Sequence, residues 1–382
     1  MDPTFHAACE AAAETWHVPA LVVCVRTGET ESTVAVGCDE ATRFRVASVT
    51  KPFTAMLALA LLDLDEAPGV WAADVRLRHL LAHTSGYDCE LAEPDLARFG
   101  GGDDALPRAV AELPTVRRWL GVDEVWSYSN AGYWLAGWQC AERAGGTFEQ
   151  ALAERVLRPA ALEATDFGEP DVPGTGPEAD AGPYPRARRP SGGLVSTAGD
   201  LVRFGRRLLE SADAARMRAP CGKPVGGVYG LGLAGERVAA VDVWGHAGSY
   251  GGFQSSLLLV PDRGAVFAGL TNSGHGKQAL RLVEDAFFER VVGAPRRTPP
   301  TAELPAASLE ALAGTYANRE GWYEVEPDGG GLVLLADGEE HPARAIGPAT
   351  FEVTAGPLVR DRFDFPREGF LRVGGRLAER LA

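Results

Sequence analysis

Along residues 18–36 two runs rich in apolar and β-branched residues flank a polar turn. This predicts strands over Ala20–Arg26 and Ser32–Val36, joined by a turn around Thr27-Gly-Glu-Thr. From Ser48 the period becomes helical, with Phe53, Met56, Leu57, Ala60, Leu61 and Leu64 on one face. Helical spacing continues through Val75–Ala82, Leu106–Leu120, Ala131–Ala144 and Phe148–Leu157. Six prolines and four glycines fall between Asp166 and Ser191, which reads as a long loop, and loops of such length often form binding rims. Phe253–Val260 and Ala265–Thr271, split by Pro261-Asp-Arg-Gly, form a hairpin ahead of a helix over Lys277–Val291. Strands at both ends with helices between them imply an α+β fold. The proline-rich run 294–305 is a semi-rigid linker between a first domain, 1–293, and a small all-β domain, 306–382. Short strands in that tail, such as Gly321–Glu326, Gly331–Leu335, Thr350–Val353 and Phe370–Val373, suggest a meander or barrel.

Charge narrows the partners. With 37 basic against 52 acidic residues the net charge is −15, which disfavours nucleic acid and anionic membranes. The longest apolar run, Ala55–Leu62, is far too short to span a bilayer. No basic segment followed by an apolar run opens the chain, so a cytoplasmic location is expected. The six cysteines are scattered without a C-x-x-C pair and are expected to be free thiols. Only three of the basic residues are lysines: Lys51, Lys223 and Lys277.

The first of these stands in Ser48-Val-Thr-Lys51, where strand-like sequence gives way to helix. Serine and lysine three apart share a helical face, and a desolvated amine can take a proton from the hydroxyl. Arginine could not serve, because it does not deprotonate. Tyr128-Ser-Asn130 presents a phenol and a carboxamide at the start of a second helix, and a phenolate stabilised by lysine could act as general base and then acid. Taken singly, that pair also fits a helix cap beside a core tyrosine. Trp244-Gly-His246-Ala-Gly248-Ser249 leads into a strand, with glycines that let backbone approach a ligand closely.

In this order the three motifs resemble those of the serine β-lactamase/penicillin-binding-protein superfamily, in particular its class C-like serine hydrolase branch. Phe44–Ala55, Arg78–Tyr87, Gly192–Asp200 and Tyr229–Gly232 carry the same likeness, which runs from about Val18 to Val292. The resemblance implies a β-lactamase/transpeptidase-like fold, an antiparallel sheet flanked by helices with a helical subdomain, and a lipocalin-like tail. It also implies that Ser48 is the acylated nucleophile and that Lys51 and Tyr128 share its activation. Asn130 would hold Lys51 and a substrate amide. The N–H groups of Ser48 and Ser249, the latter just after Gly248, would form the oxyanion hole, and His246 would line the pocket near Tyr128. β-Lactamases and carboxypeptidases of the superfamily usually carry Lys-Thr-Gly third. His246 and Ala247 replace that lysine and threonine, which disfavours substrates with a free carboxylate.

Other signals are weaker. His79 and His83 lie four apart but lack the glutamate of H-E-x-x-H, and they read as structural. Gly230-Leu-Gly-Leu-Ala-Gly235 precedes a strand instead of the helix a dinucleotide needs, and no G-x-S-x-G occurs. Arg186, Arg188 and Arg189 read as a solvated face. The expected activity is that of a serine hydrolase, of carboxylesterase or amidase-peptidase type, acting on a small ester, amide or peptide without cofactor or metal. The alternatives are an acyltransferase or peptide-cyclising thioesterase, and a catalytically silent ligand-binding homologue. Loops Asp88–Pro114 and Asp166–Pro190 should set specificity.

Overall fold

The computed structural model describes residues 3–91 and 96–381. Helix α1 (Pro3–Thr15) precedes the hairpin β1 (Leu21–Thr27) and β2 (Thr30–Val36). After the short β3 (Phe44–Arg45) and a single turn at Ala47–Val49 come α2 (Thr50–Leu61), α3 (Leu77–Leu81), α4 (Ala105–Glu112), α5 (Asn130–Ala144) and α6 (Phe148–Leu152). Then follow α7 (Arg189–Gly192), β4 (Val195–Ser196), α8 (Ala198–Glu210), α9 (Ala212–Met217) and β5 (Val228–Tyr229). The strands β6 (Ala234–Val238), β7 (Val241–Tyr250), β8 (Phe253–Val260) and β9 (Ala265–Thr271) lead to α10 (Gly276–Val292).

The main sheet is antiparallel, in the order β2-β1-β9-β8-β7-β6-β5. Both faces are covered, so β1 from Leu21 to Val25 and β9 from Ala265 to Leu270 are apolar throughout. In β1, Val22 and Cys24 join the core shared with α2, α5 and α8, while Leu21 and Val23 pack toward α1 and α10. Phe53 of α2 stacks on Phe204 of α8 with ring centroids 3.5 Å apart, which fixes the helical layer above the sheet.

Beyond α10 the chain runs without regular structure to α11 (Ala306–Leu312). Eight strands then close into a barrel: β10 (Gly314–Ala317), β11 (Trp322–Asp328), β12 (Gly331–Ala336), β13 (Glu339–Gly347), β14 (Thr350–Val353), β15 (Arg362–Arg367), β16 (Phe370–Val373) and β17 (Arg376–Arg380). β10 pairs with β17 to complete the ring, and the interior is filled by its own cluster, including Tyr316, Leu334, Phe351 and Phe363. Arg281 and Lys277 of α10 both reach Asp361 of the barrel, at 2.5 and 2.6 Å.

Three expectations need correction. The helix expected over Leu106–Leu120 ends at Glu112 and a single turn at Leu113–Thr115, because Pro114 breaks it. The loop 88–114 therefore contains α4, and its residues 92–95 lie outside the described ones. His246-Ala-Gly248 lies within β7 and not ahead of a strand. The arginines read as a solvated face are paired instead: Arg186 and Arg189 converge on Glu149, at 2.9 and 2.6 Å, and Arg188 meets Glu90 at 3.0 Å. All six cysteines are free. No helix among the described residues is long and apolar enough to cross a membrane.

Candidate active site

Ser48 sits in the turn that feeds α2, between the helical layer and β7. Ala47 before it has φ 43°, a left-handed conformation that costs an ordinary residue about 1–2 kcal/mol. Two neighbours hold the turn: Val46 N–H donates to Leu194 C=O, 3.0 Å, and Val46 C=O accepts from Ser255 Oγ, 2.7 Å. Gly248 of β7 lies flush against it, and a Cβ there would stand 2.9 Å from the Ser48 nitrogen and 2.3 Å from Val46 O.

Lys51, one turn along, is fully buried. Its Nζ is 2.8 Å from Asn130 Oδ1, 2.7 Å from Ser191 O and 3.2 Å from Ser48 Oγ. Desolvation, aided by the charges of Arg376 and Arg188 and opposed by Glu90, holds the amine well below its ordinary pKa. A neutral amine has two hydrogens and one lone pair. Asn130 Oδ1 and Ser191 O can only accept, so they take the two hydrogens, and the lone pair is left facing Ser48 Oγ. The Asn130 carboxamide is oriented by Glu90, which accepts from its Nδ2 at 2.5 Å.

Tyr128 donates its hydroxyl to Ser48 Oγ, 2.9 Å. Burial pushes this phenol above its ordinary pKa, against the pull of the Ser48 bond and of Arg376. At neutral pH this favours the protonated phenol, which donates to Ser48 Oγ in the resting site. Ser129 caps α5 by accepting from Gly132 N–H at 3.2 Å, which sets Tyr128 and Asn130 on either side of the cap.

Two histidines support this loop. His83, at φ 59°, accepts from Ser129 N–H at Nδ1, 3.0 Å, and its carbonyl accepts from Ser127 N–H, 3.0 Å. It is fully enclosed and kept neutral, chiefly by desolvation. His246 places Nδ1 2.6 Å from its neighbour's carbonyl, Ala247 O, and Nε2 3.0 Å from Tyr229 OH. Nδ1 thus carries the hydrogen and Nε2 accepts from the tyrosine. Burial and the nearby Lys51 lower its pKa to about 3. Its ring centroid is 6.2 Å from that of Tyr128. Ser48, Lys51, Tyr128, Asn130, His246 and Gly248 thus share one site, and Ser249 follows on the same strand, its side chain accepting from Gln254 Nε2 at 2.8 Å.

The sequence reading missed several contributors. Glu90 and Ser191 carried no motif. The barrel is also present at the site. Tyr128 N–H donates to Gly375 C=O at 2.8 Å, Leu377 N–H to Ser127 Oγ at 3.2 Å, and Arg372 Nη1 to Trp126 O at 2.8 Å. The Arg376 guanidinium carbon stands 5.1 Å from the Tyr128 ring centroid, and Arg376 Nε is 2.9 Å from Glu320 Oε1. No group of three or more metal-ligating side chains converges among the described residues.

A family model described as Beta-lactamase matches residues 7–292. Penicillin-binding protein 4 of Amycolatopsis lactamdurans is 32% identical over 75% of this chain and 87% of its own length. Among solved structures, SurE with D-Leu aligns over 99% of both chains at 24% identity with a TM-score of 0.75. A D-stereospecific amidohydrolase from Streptomyces aligns over 72% of this chain and 97% of its own at 26% identity, with a TM-score of 0.60.

Proposed function

The chain belongs to the Beta-lactamase family and is a serine hydrolase of that superfamily, and from this premise we propose that it cleaves small amides or peptides through an acyl-enzyme on Ser48. The observation that carries the proposal is the position of Lys51, whose Nζ lies within reach of the acceptors Asn130 Oδ1 and Ser191 O and of Ser48 Oγ, so that in its unprotonated state the lone pair faces that hydroxyl. Ser48 Oγ bonds to the substrate carbonyl carbon as its proton passes to Lys51 Nζ. The Ser48 and Ser249 N–H groups receive the developing oxyanion, each such donor being worth a few kcal/mol. Lys51 and Tyr128 then return a proton to the departing amine as the C–N bond breaks. Water, activated by the same pair, cleaves the ester and restores the Ser48 hydroxyl. Asn130 holds Lys51 and keeps one N–H for the substrate amide, and His246 walls the pocket as a neutral ring.

The D-stereospecific amidohydrolase among its structural neighbours makes D-amino-acid amides, with their L-enantiomers as controls, the first compounds to assay. Fluorophosphonate labelling should occur at Ser48 and be lost in Ser48→Ala. A wild-type chain that is neither labelled nor active on amides and nitrophenyl esters refutes the hydrolase reading and leaves a ligand-binding homologue. A second reading, transfer of the acyl group to an amine, takes its cue from the barrel turn that packs on Tyr128 through the bond from Tyr128 N–H to Gly375 C=O. It requires that added amines capture the acyl group faster than hydrolysis does.

A further inference from the structure

The barrel grips three consecutive residues of the catalytic loop. Arg372 binds the carbonyl of Trp126, Leu377 N–H the hydroxyl of Ser127, and Gly375 C=O the N–H of Tyr128. The turn between β16 and β17 is made for this approach: Gly375 has φ 83°, and a Cβ on it would stand 3.1 Å from the Trp126 ring. The next residue, Arg376, brings a permanent cation to a site whose own strand β7 offers none. Its guanidinium carbon lies 5.1 Å from the Tyr128 ring centroid, and Lys51 Nζ lies 4.6 Å from the same centroid. Two cations on one ring repel each other, so a fixed charge at Arg376 favours the unprotonated state of Lys51.

We propose that the barrel is part of the catalytic apparatus and that Arg376 is a positioning residue, which sets how the proton is shared between Ser48, Lys51 and Tyr128. The idea rests on the Ser48 acyl-enzyme reading and gives it a regulator outside the hydrolase sheet.

The surroundings contain other charges, and they define the control. Glu90 favours the protonated amine, and Arg188, which pairs with Glu90, opposes it. Glu320 partly neutralises Arg376 from the loop between β10 and β11. His83 and His246 are neutral, and Tyr133, Tyr184 and Tyr229 are buried phenols with raised pKa values, as is the thiol of Cys89. None of these neutral groups can replace a guanidinium.

The test is the pH dependence of Ser48 labelling by an uncharged fluorophosphonate, read by intact mass. Oγ–P forms, P–F breaks, fluoride leaves and the serine proton goes to Lys51. The reagent has no carboxylate, so a role of Arg376 in gripping an anionic substrate would not register. Arg376→Met should move the acid limb up by about one pH unit, a roughly ten-fold slowing on that limb with little change on the plateau. Arg376→Lys, which keeps the charge, should restore the wild-type limb, and Glu320→Gln should move it down. An unchanged limb in Arg376→Met, equal slowing at every pH, or a lysine variant that behaves like methionine overturns the proposal. If Arg376→Met does not fold, Glu320→Gln decides, and no downward shift overturns it. A wild-type chain that is not labelled at all removes the acyl-enzyme reading itself, whereas a labelled one with unmoved variants removes only Arg376.

Discussion

Gly248→Ala adds one methyl group where β7 meets the nucleophile. The new Cβ would stand 2.3 Å from Val46 O, 2.5 Å from Ser255 Oγ and 2.9 Å from the Ser48 nitrogen. Ordinary contacts begin near 3.4 Å, so the closest pair must separate by about 1.1 Å. Ser255 Oγ could rotate away, but only by giving up its bond to Val46 O. Val46 is tied to Leu194 on its other side, so the strand has to retreat from the turn. That displacement carries Ser249 N–H away from Ser48 N–H. A misplacement of about 1 Å costs on the order of 10²-fold, and losing an oxyanion donor costs about 10²–10³-fold. We therefore expect kcat/KM for a nitrophenyl ester to fall by about 10²–10³. Overpacking should cost only about 1–3 kcal/mol of stability, which denaturant unfolding would follow. A folded Gly248→Ala protein within five-fold of wild type would show that the Ser249 N–H is not an oxyanion donor.

Lys51→Arg puts a permanent cation in place of the proton acceptor, and labelling of Ser48 should slow by about 10²–10⁴ at pH 7; a rate near wild type would exclude lysine as the base. His83→Leu leaves Ser129 N–H without its acceptor and should cost about 1–3 kcal/mol in denaturant unfolding, with a shift in Tyr128 that slows labelling. His246 titrates near 6.5 when unfolded and near 3 when folded, so the unfolded state binds more protons between these values. Its contribution is complete above pH 6.5 and declines by about 1.4 kcal/mol for each unit of acidification down to pH 3. A Tm–pH series should show that slope, and His246→Gln should flatten it; an equally steep variant would assign the acid lability elsewhere.

The meeting of Ser48, Lys51 and Tyr128 was legible because each lies where a strand or loop gives way to a helix, and local pattern reports such junctions. The hairpin over Phe253–Thr271 was legible for a similar reason, since Pro261 and Gly264 punctuate two apolar runs. Glycine was harder to read. Around His246 it read as the approach to a strand, yet Gly248 lies within β7, at a point where Val46 and Ser48 leave no room for a side chain. The amphipathic run of α8 was passed over, although its apolar positions pack on β9 and β1. Arg376 and Glu90 had no local signature at all. Their proximity to Tyr128 and Asn130 arises from tertiary docking, and a periodicity argument has no access to it.

Closure of the barrel has a temporal consequence. β17 both seals the ring against β10 and begins with the residue that faces Tyr128. Ribosomes make Ser48 long before Arg376, so under the positioning role proposed for it an emerging chain carries an untuned serine until β17 has left the ribosome and joined the ring. Premature stop codons ahead of β17 would then yield a hydrolase whose acid limb lies higher, even though every residue of the Ser-Lys-Tyr set had been translated.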